Sequence, residues 1–290
     1  MQAFAYARPE SLPTALGLLD QGGDRVSVLA GGTDLVIALR HGSADAKLVV
    51  DIKSVDGFEP RISADEARVT LSATAVMADV EADTRMRAAF PALAKAAATV
   101  GSVQIRNRAT LVGNICHASP AADTAPALLA YGARVKIVNA SGARLVALSD
   151  FFVGPGHTVL ERGELAVSIE LPTSEQPLRA AFAKVTRRRG VDLSAVSVAC
   201  VMSAGGETRL GCGAVGPRPF VVVDRSGVLA DPGASDAAKG EVLEELLLEA
   251  SPISDVRASR EYRAAMLRVV SLRLIRACLD QSARGGGISG

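Results

Sequence analysis

Two stretches of glycine and small polar residues hold the clearest chemistry in this chain: Ala30-Gly31-Gly32-Thr33-Asp34-Leu35 and Ala109-Thr110-Leu111-Val112-Gly113-Asn114. Glycine permits positive φ and lets consecutive backbone N–H groups converge on an anion. Each stretch follows an apolar or helical segment, where the backbone must turn. Taken alone, either reads equally well as a tight turn or a helix start. Facing each other, the two could grip a pyrophosphate from both sides, which suits a dinucleotide such as FAD.

Other chemistries find little support. His41 precedes Gly42 at an expected helix end, His157 lies in a Gly-Pro-Gly loop, and His117 follows Cys116. No Ser-His-Asp, Cys-His or HExxH constellation is present. Cys116, Cys200, Cys212 and Cys278 are scattered, with neither metal-ligand spacing nor a disulfide framework. They read as buried small hydrophobes in a reducing cytoplasm, and Cys116 and His117, adjacent on an expected strand, would point to opposite faces. Gly211-Cys212-Gly213-Ala214-Val215-Gly216 matches the nicotinamide-dinucleotide fingerprint, but Pro217-Arg218-Pro219 stands where a helix would have to continue. That match reads as a strand end.

Bulk properties narrow the field further. The chain of 290 residues allows two or three packed units. Lys and Arg number 32 against 31 Asp and Glu, aromatics are 3% and tryptophan is absent. Such a surface favours neither nucleic acid nor an acidic membrane. Arg187-Arg188-Arg189, the single basic run, reads as a solvated turn between strands. No apolar run approaches the roughly 18 residues that cross a bilayer, and the opening lacks a secretory signal pattern.

The elements that must position the two stretches follow from periodicity. Ser11 precedes a stripe of Leu12, Ala15, Leu16 and Leu19 that stops at Gly22-Gly23; a strand over 26–30 then leads into the first stretch, a helix over 34–40 leaves it, and a strand covers 48–52. A strand over 68–73, helices over 77–87 and 91–100, a hairpin of 133–139 with 144–148, and a strand over 165–171 follow. Beyond Arg179 come three long strands, 179–186, 195–203 and 208–215, then helices near 236–250 and 259–282. The last helix shows an apolar side of Tyr262, Met266, Val269, Val270, Leu274 and Cys278.

The segment from Gly101 to Leu128, GSVQIRNRATLVGNICHASPAADTAPAL, resembles the signature of the FAD-binding medium subunits of molybdenum hydroxylases, the xanthine dehydrogenase and carbon monoxide dehydrogenase group. Their flavin domain is of the para-cresol methylhydroxylase (PCMH) type. The resemblance extends to the opening Phe4-Ala5-Tyr6-Ala7-Arg8-Pro9 and to Lys184…Arg188-Arg189 with Asp192-Leu193-Ser194, similar to a family Lys-x-x-x-Arg-Arg…Asp-Ile-Ala segment. It continues through Gly213–Pro219 and Ser259-Arg260-Glu261-Tyr262-Arg263. One departure is Val112, where the family has the first glycine of a Gly-Gly-Asn.

The resemblance implies an α+β, PCMH-type FAD-binding fold of two α/β subdomains, 1–55 and 56–175. A C-terminal domain of antiparallel sheet covered by helices, 176–283, follows, with a disordered tail, 284–290. It implies that Leu29, Ala30, Gly31, Gly32, Thr33, Asp34 and Leu35 wrap the FAD pyrophosphate and ribityl chain. Thr110, Gly113 and Asn114 hold it from the other side, with Gly101 and Cys116 also at the cofactor. Asp123 accepts hydrogen bonds from sugar or ribityl hydroxyls; the residues alone also allow it as a helix N-cap. Lys184 lies near the flavin ring, where positive charge stabilises the anionic reduced form, and Val167 packs on the ring. No residue is implied as catalytic or metal-binding, since the isoalloxazine carries the reaction.

The implied assembly has an iron–sulfur small subunit and a molybdopterin large subunit as partners, with NAD⁺, quinone or oxygen as acceptor. Two rivals remain, a self-contained PCMH-type oxidoreductase such as the UDP-N-acetylenolpyruvoylglucosamine reductases, and a flavin-free assembly or regulatory module. Purine, N-heterocycle, aldehyde, carbon monoxide and acyl-CoA thioester all remain open as substrates of the complex. Thr33-Asp34 in place of a His-Ser turns the reading away from carbon monoxide, and no cysteine-rich insertion signals an extra cluster.

Overall fold

The computed structural model describes residues 3–285. The chain first builds a three-stranded parallel sheet in which Leu48–Asp51 lies between Ala5–Ala7 and Val26–Leu29, with Tyr6 and Ser27 both opposite Val49. Helix Leu12–Gln21 starts at Ser11, whose hydroxyl accepts the Thr14 N–H at 3.3 Å, and buries Ala15, Leu16 and Leu19. Helix Leu35–His41 leaves the first glycine stretch and ends at Gly42 with φ 75°. That stretch therefore sits at the carboxyl end of a parallel strand, the usual place for a ligand in an open α/β sheet.

A five-stranded antiparallel sheet comes next, ordered Ile62–Ala64, Arg68–Ser72, Leu165–Pro172, Arg134–Asn139 and Gly142–Ala147. The central strand shifts register between Ala166 and Ser168, so Val167 is the extra residue of a bulge. The helix expected over 77–87 is two helices, Met77–Ala82 and Thr84–Ala89. Asp83 divides them, because its carboxylate accepts the N–H groups of Arg85 and Met86 at 2.8 and 3.0 Å and starts a new helix. Short helices Pro91–Ala98, Val103–Arg106, Leu111–Cys116 and Ala125–Ala130 complete this part.

The last sheet has four antiparallel strands, Arg179–Val185, Val196–Met202, Thr208–Gly213 and Phe220–Asp224, not three. The fourth follows Pro217 and Pro219, whose punctuation masks it in sequence, and pairs Val221 with Gly211. Strand Val196–Met202 is buried at every residue because both sheet faces are covered. Ala199 and Val201 join the core with Phe90, Leu93 and Leu128, while Val198 and Cys200 pack with Leu267 and Leu274 of the long helix. The C-terminal sheet thus has helices of the preceding part on one face and its own on the other.

Helix Arg260–Gly285 corrects two expectations. Its buried stripe is Arg263, Leu267, Val270, Ser271, Leu274, Ile275 and Cys278, whereas Tyr262 and Val269 are 48% and 37% exposed. An arginine holds the first core-facing position, so apolarity alone misplaced the start of the stripe. Arg284 and Gly285 complete this helix, and 286–290 of the expected disordered tail lie outside the described residues. Among the described residues, no helix is long and apolar enough to cross a membrane.

Candidate functional site

The two glycine stretches meet. A Cβ on Gly31 would lie 2.2 Å from the Arg108 carbonyl oxygen and 3.0 Å from the Ala109 Cα. Gly31 is therefore needed for a backbone-to-backbone crossing of the two stretches. Gly32 supplies the turn, with φ +77°. Among the described residues, the N–H groups of Gly32, Thr33 and Asp34 have no protein acceptor. The strand end beneath is braced by Lys53, whose ammonium lies 2.7 Å from Asp51 and 3.4 Å from the Ala30 carbonyl. Asp51 also accepts the Tyr6 hydroxyl at 2.6 Å. Burial raises the Asp51 carboxyl, but the bonds from Lys53 and Tyr6 outweigh it and hold it below its usual value.

The second stretch is not a glycine loop. It is the start of helix Leu111–Cys116, N-capped by Thr110, whose hydroxyl accepts the Gly113 N–H at 3.2 Å. Gly113 is helical with ordinary φ, and a Cβ there would meet the Thr110 Oγ1 at 2.6 Å. The Leu111 and Asn114 N–H groups go to the Ala75 and Thr110 carbonyls. Asn114 Oδ1 accepts the Thr124 hydroxyl at 2.7 Å, which leaves its NH₂ as a donor. Cys116 and His117 end this helix and line the same cavity, so the strand expected there does not exist. Cys116 is half-buried rather than buried, and its apolar surroundings push the thiol up to about 12.

A cavity of about 680 Å³ lies between these elements. It brings together twelve of the expected residues: Ala30, Gly31, Gly32, Thr33, Asp34, Leu35, Gly101, Thr110, Gly113, Asn114, Cys116 and Asp123. Leu29, Val167 and Lys184 stand behind the wall. Val167 packs with Val50, Ile52 and Ala73, and its strand neighbours Leu165 and Ala166 reach the cavity instead.

Lys184 is paired with Asp123. Its ammonium donates to Asp123 Oδ2 at 2.8 Å, to the Thr99 carbonyl at 3.0 Å and to the Asp192 carbonyl at 3.3 Å. Ser194 donates to Asp123 Oδ1 at 2.5 Å. Asp123 is not the N-cap of helix Ala125–Ala130; Thr124 occupies that position. Burial pushes the Asp123 carboxyl up, opposed by Lys184 and Ser194.

Sequence reasoning missed part of the wall. Val191, Asp192 and Leu193 enter from the connection between two C-terminal strands, and Ile37 and Ile105 from short helices. Ile37 and Leu193 are 56% and 62% exposed at the cavity, although apolar residues in such segments ordinarily read as core. The Arg187-Arg188-Arg189 run belongs to this connection: Arg187 pairs with Asp192 at 2.9 Å, holding that carboxyl down at about 2.

The donor set fits a flavin dinucleotide. Unpartnered N–H groups of the first stretch suit phosphate, the apolar walls suit a planar ring, and Asp123 is an acceptor for N–H or O–H groups. The nicotinamide fingerprint at Gly211–Gly216 serves packing: a Cβ on Gly211 would lie 1.9 Å from the Pro126 carbonyl oxygen, where helix Ala125–Ala130 crosses the sheet.

A family model described as the FAD binding domain in molybdopterin dehydrogenase matches residues 2–174. A second, the CO dehydrogenase flavoprotein C-terminal domain, matches 180–278. The chain is 28% identical over 276 residues to the xanthine dehydrogenase FAD-binding subunit of Escherichia coli O157:H7, covering 93% of this chain and 94% of that one. It is 32% identical over 200 residues to the nicotinate dehydrogenase FAD-subunit of Eubacterium barkeri, covering 68% and 67%. The carbon monoxide dehydrogenase structure from Hydrogenophaga pseudoflava superposes with a TM-score of 0.88 at 27% identity, over 96% of this chain and 97% of that one. Quinoline 2-oxidoreductase from Pseudomonas putida 86 gives 0.86 at 27%, over 97% and 98%. With both halves of the chain matched, the chain belongs to the FAD-binding medium subunits of the molybdenum hydroxylase family and is an FAD-dependent oxidoreductase subunit.

Proposed function

We propose that this chain is the flavin relay of a multi-subunit molybdenum hydroxylase. It receives electrons from an iron–sulfur small subunit, which draws them from a molybdopterin large subunit, and passes them to NAD⁺, quinone or oxygen. The observation that carries this reading is the joint cavity, to which the FAD-binding half and the C-terminal half both contribute wall. Bound FAD supplies an electron carrier that exchanges electrons singly and in pairs.

The residues divide the remaining work. Gly32, Thr33 and Asp34 offer N–H donors to the pyrophosphate, Asn114 offers its amide, and Asp123 accepts from hydroxyl or imide groups. Leu29 and Val167 support the wall from behind, and Lys184 opposes the effect of burial on the Asp123 carboxyl. In this reading the units 1–55 and 56–175 hold the cofactor between them, and 176–283 closes the site. A cytoplasmic setting belongs to the same proposal, since none of the thiols is paired in a disulfide.

The test uses the purified chain. Denaturation should release FAD and not FMN. Once photoreduced, the flavin should be reoxidised by NAD⁺, a quinone or oxygen in stopped flow. The chain alone should turn over no purine, aldehyde or N-heterocycle, and co-expression with iron–sulfur and molybdopterin subunits should yield a hetero-oligomer. Turnover of an organic substrate by this chain alone would establish the self-contained oxidoreductase instead.

A further inference from the structure

Both oxygens of Asp123 are held by donors from the C-terminal half. Lys184, on strand Arg179–Val185, takes Oδ2 at 2.8 Å, and Ser194, just before strand Val196–Met202, takes Oδ1 at 2.5 Å. Ser194 is 0% exposed, and its hydroxyl has a single proton, spent on this carboxylate. The position of Ser194 is itself fixed from behind. Its carbonyl accepts from Arg257 at 3.2 Å, Arg257 pairs with Asp255 at 2.6 Å, and Asp255 takes the buried Arg263 at 2.6 Å. Arg263 in turn ties the Ala195 and Ala214 carbonyls, each at 2.8 Å. A continuous bonded path therefore runs from the long C-terminal helix to a carboxylate on the cavity wall.

We propose that Ser194 is a positioning residue for the flavin site: with Lys184 it fixes Asp123 as the acceptor presented to the cofactor, so the C-terminal domain sets how tightly the FAD-binding half holds its ligand. The inference rests on the cavity being the FAD site. A carboxylate accepts only, and with one protein donor on each oxygen it retains lone pairs for a ligand in the cavity it lines. Without the hydroxyl, Lys184 alone would oppose the burial of the charge. The other ionisable groups around Asp123 are committed elsewhere or lie across the cavity. Asp192 faces Arg187, Glu164 faces Arg144, Arg257 lies behind Ser194, and Cys116, His117 and Asp34 line the remaining wall.

Ser194→Ala removes one oxygen and leaves the packing otherwise in place. Losing one hydrogen bond to a charged group should raise the FAD Kd about tenfold. The sign of the pH effect follows from which form is stabilised. Ser194 donates to the charged carboxylate, so its loss raises the Asp123 pKa, and the fall of FAD affinity towards acid moves up by about one pH unit. Ser194→Cys keeps the shape with a weaker donor and should give an intermediate shift, which keeps the test available if Ser194→Ala does not fold. A serine with a purely structural role would lower affinity at every pH without moving the profile.

The affinity profile is measured by FAD titration of the apoprotein. In parallel, the Asp123 carboxyl is titrated directly by ¹³C NMR in flavin-free protein, its signal assigned by Asp123→Asn. A midpoint about one unit higher in Ser194→Ala is the expected result. An unmoved midpoint beside a wild type that binds FAD overturns the Ser194 inference alone. Wild-type protein that takes up no FAD, at any pH where it is folded, overturns the flavin reading on which it stands.

Discussion

Gly31→Ala tests the meeting of the two glycine stretches. The new methyl would lie 2.2 Å from the Arg108 carbonyl oxygen, where ordinary contact begins at 3.4 Å, so one backbone must retreat by more than an ångström. Neither neighbour is a flexible side-chain tip, and overpacking against fixed structure costs about 1–3 kcal/mol. In the flavin-free protein the strain is relieved by parting the stretches, which lie at the cavity wall. FAD needs them together, so the strain reappears in binding and lowers affinity roughly fivefold to a hundredfold. The assay is fluorescence titration of apoprotein with FAD, alongside thermal melting. Gly17→Ala is the control: it lies in helix Leu12–Gln21 with nothing within 4 Å of its Cβ, and should stabilise by up to about 1 kcal/mol with affinity unchanged. An FAD affinity for Gly31→Ala within twofold of wild type would refute the crossing as a determinant of the site.

Asp123→Asn should lower Tm and FAD affinity together, because it leaves the Lys184 ammonium, 11% exposed, without its counter-charge; breaking such a pair costs about 3–5 kcal/mol, read by urea denaturation. Arg263→Met should reduce Tm by roughly 10 °C, since it removes one of the two arginines on Asp255 and leaves two buried carbonyls without their donor, and a melting curve within 2 °C of wild type would count against the network. Acid should weaken the connection 187–194. The Asp192 carboxyl is lowered from 3.8 to about 2 by Arg187, so its stabilisation is complete above 3.8 and is lost as pH falls through about 2. Arg187→Gln should flatten that part of a stability–pH curve measured between pH 5 and 2.

Much of this protein is local information, and the sequence by itself determined it. Helix Leu12–Gln21 is set by Ser11 and its apolar stripe, the turn at Gly32 needs a positive φ that glycine supplies, and the signature from Gly101 to Leu128 places a large block of the cavity wall. Local signals also explain the misreadings. Cys116 and His117 look like strand residues until Thr110 caps a helix ahead of them, and Phe220–Asp224 hides behind two prolines. What the tertiary structure decided depends on groups far apart in the chain. Nothing near Gly31 announces the Arg108 carbonyl, and nothing near Asp123 announces Lys184 or Ser194, which come from an edge strand of a later sheet and from the connection that follows it. Lys184 alone reads as a free cation for the flavin; only packing shows its protons spent on Asp123, Thr99 and Asp192. Periodicity reports which face of an element is buried, whereas the partner of a buried charge is chosen by how the sheets and helices stack.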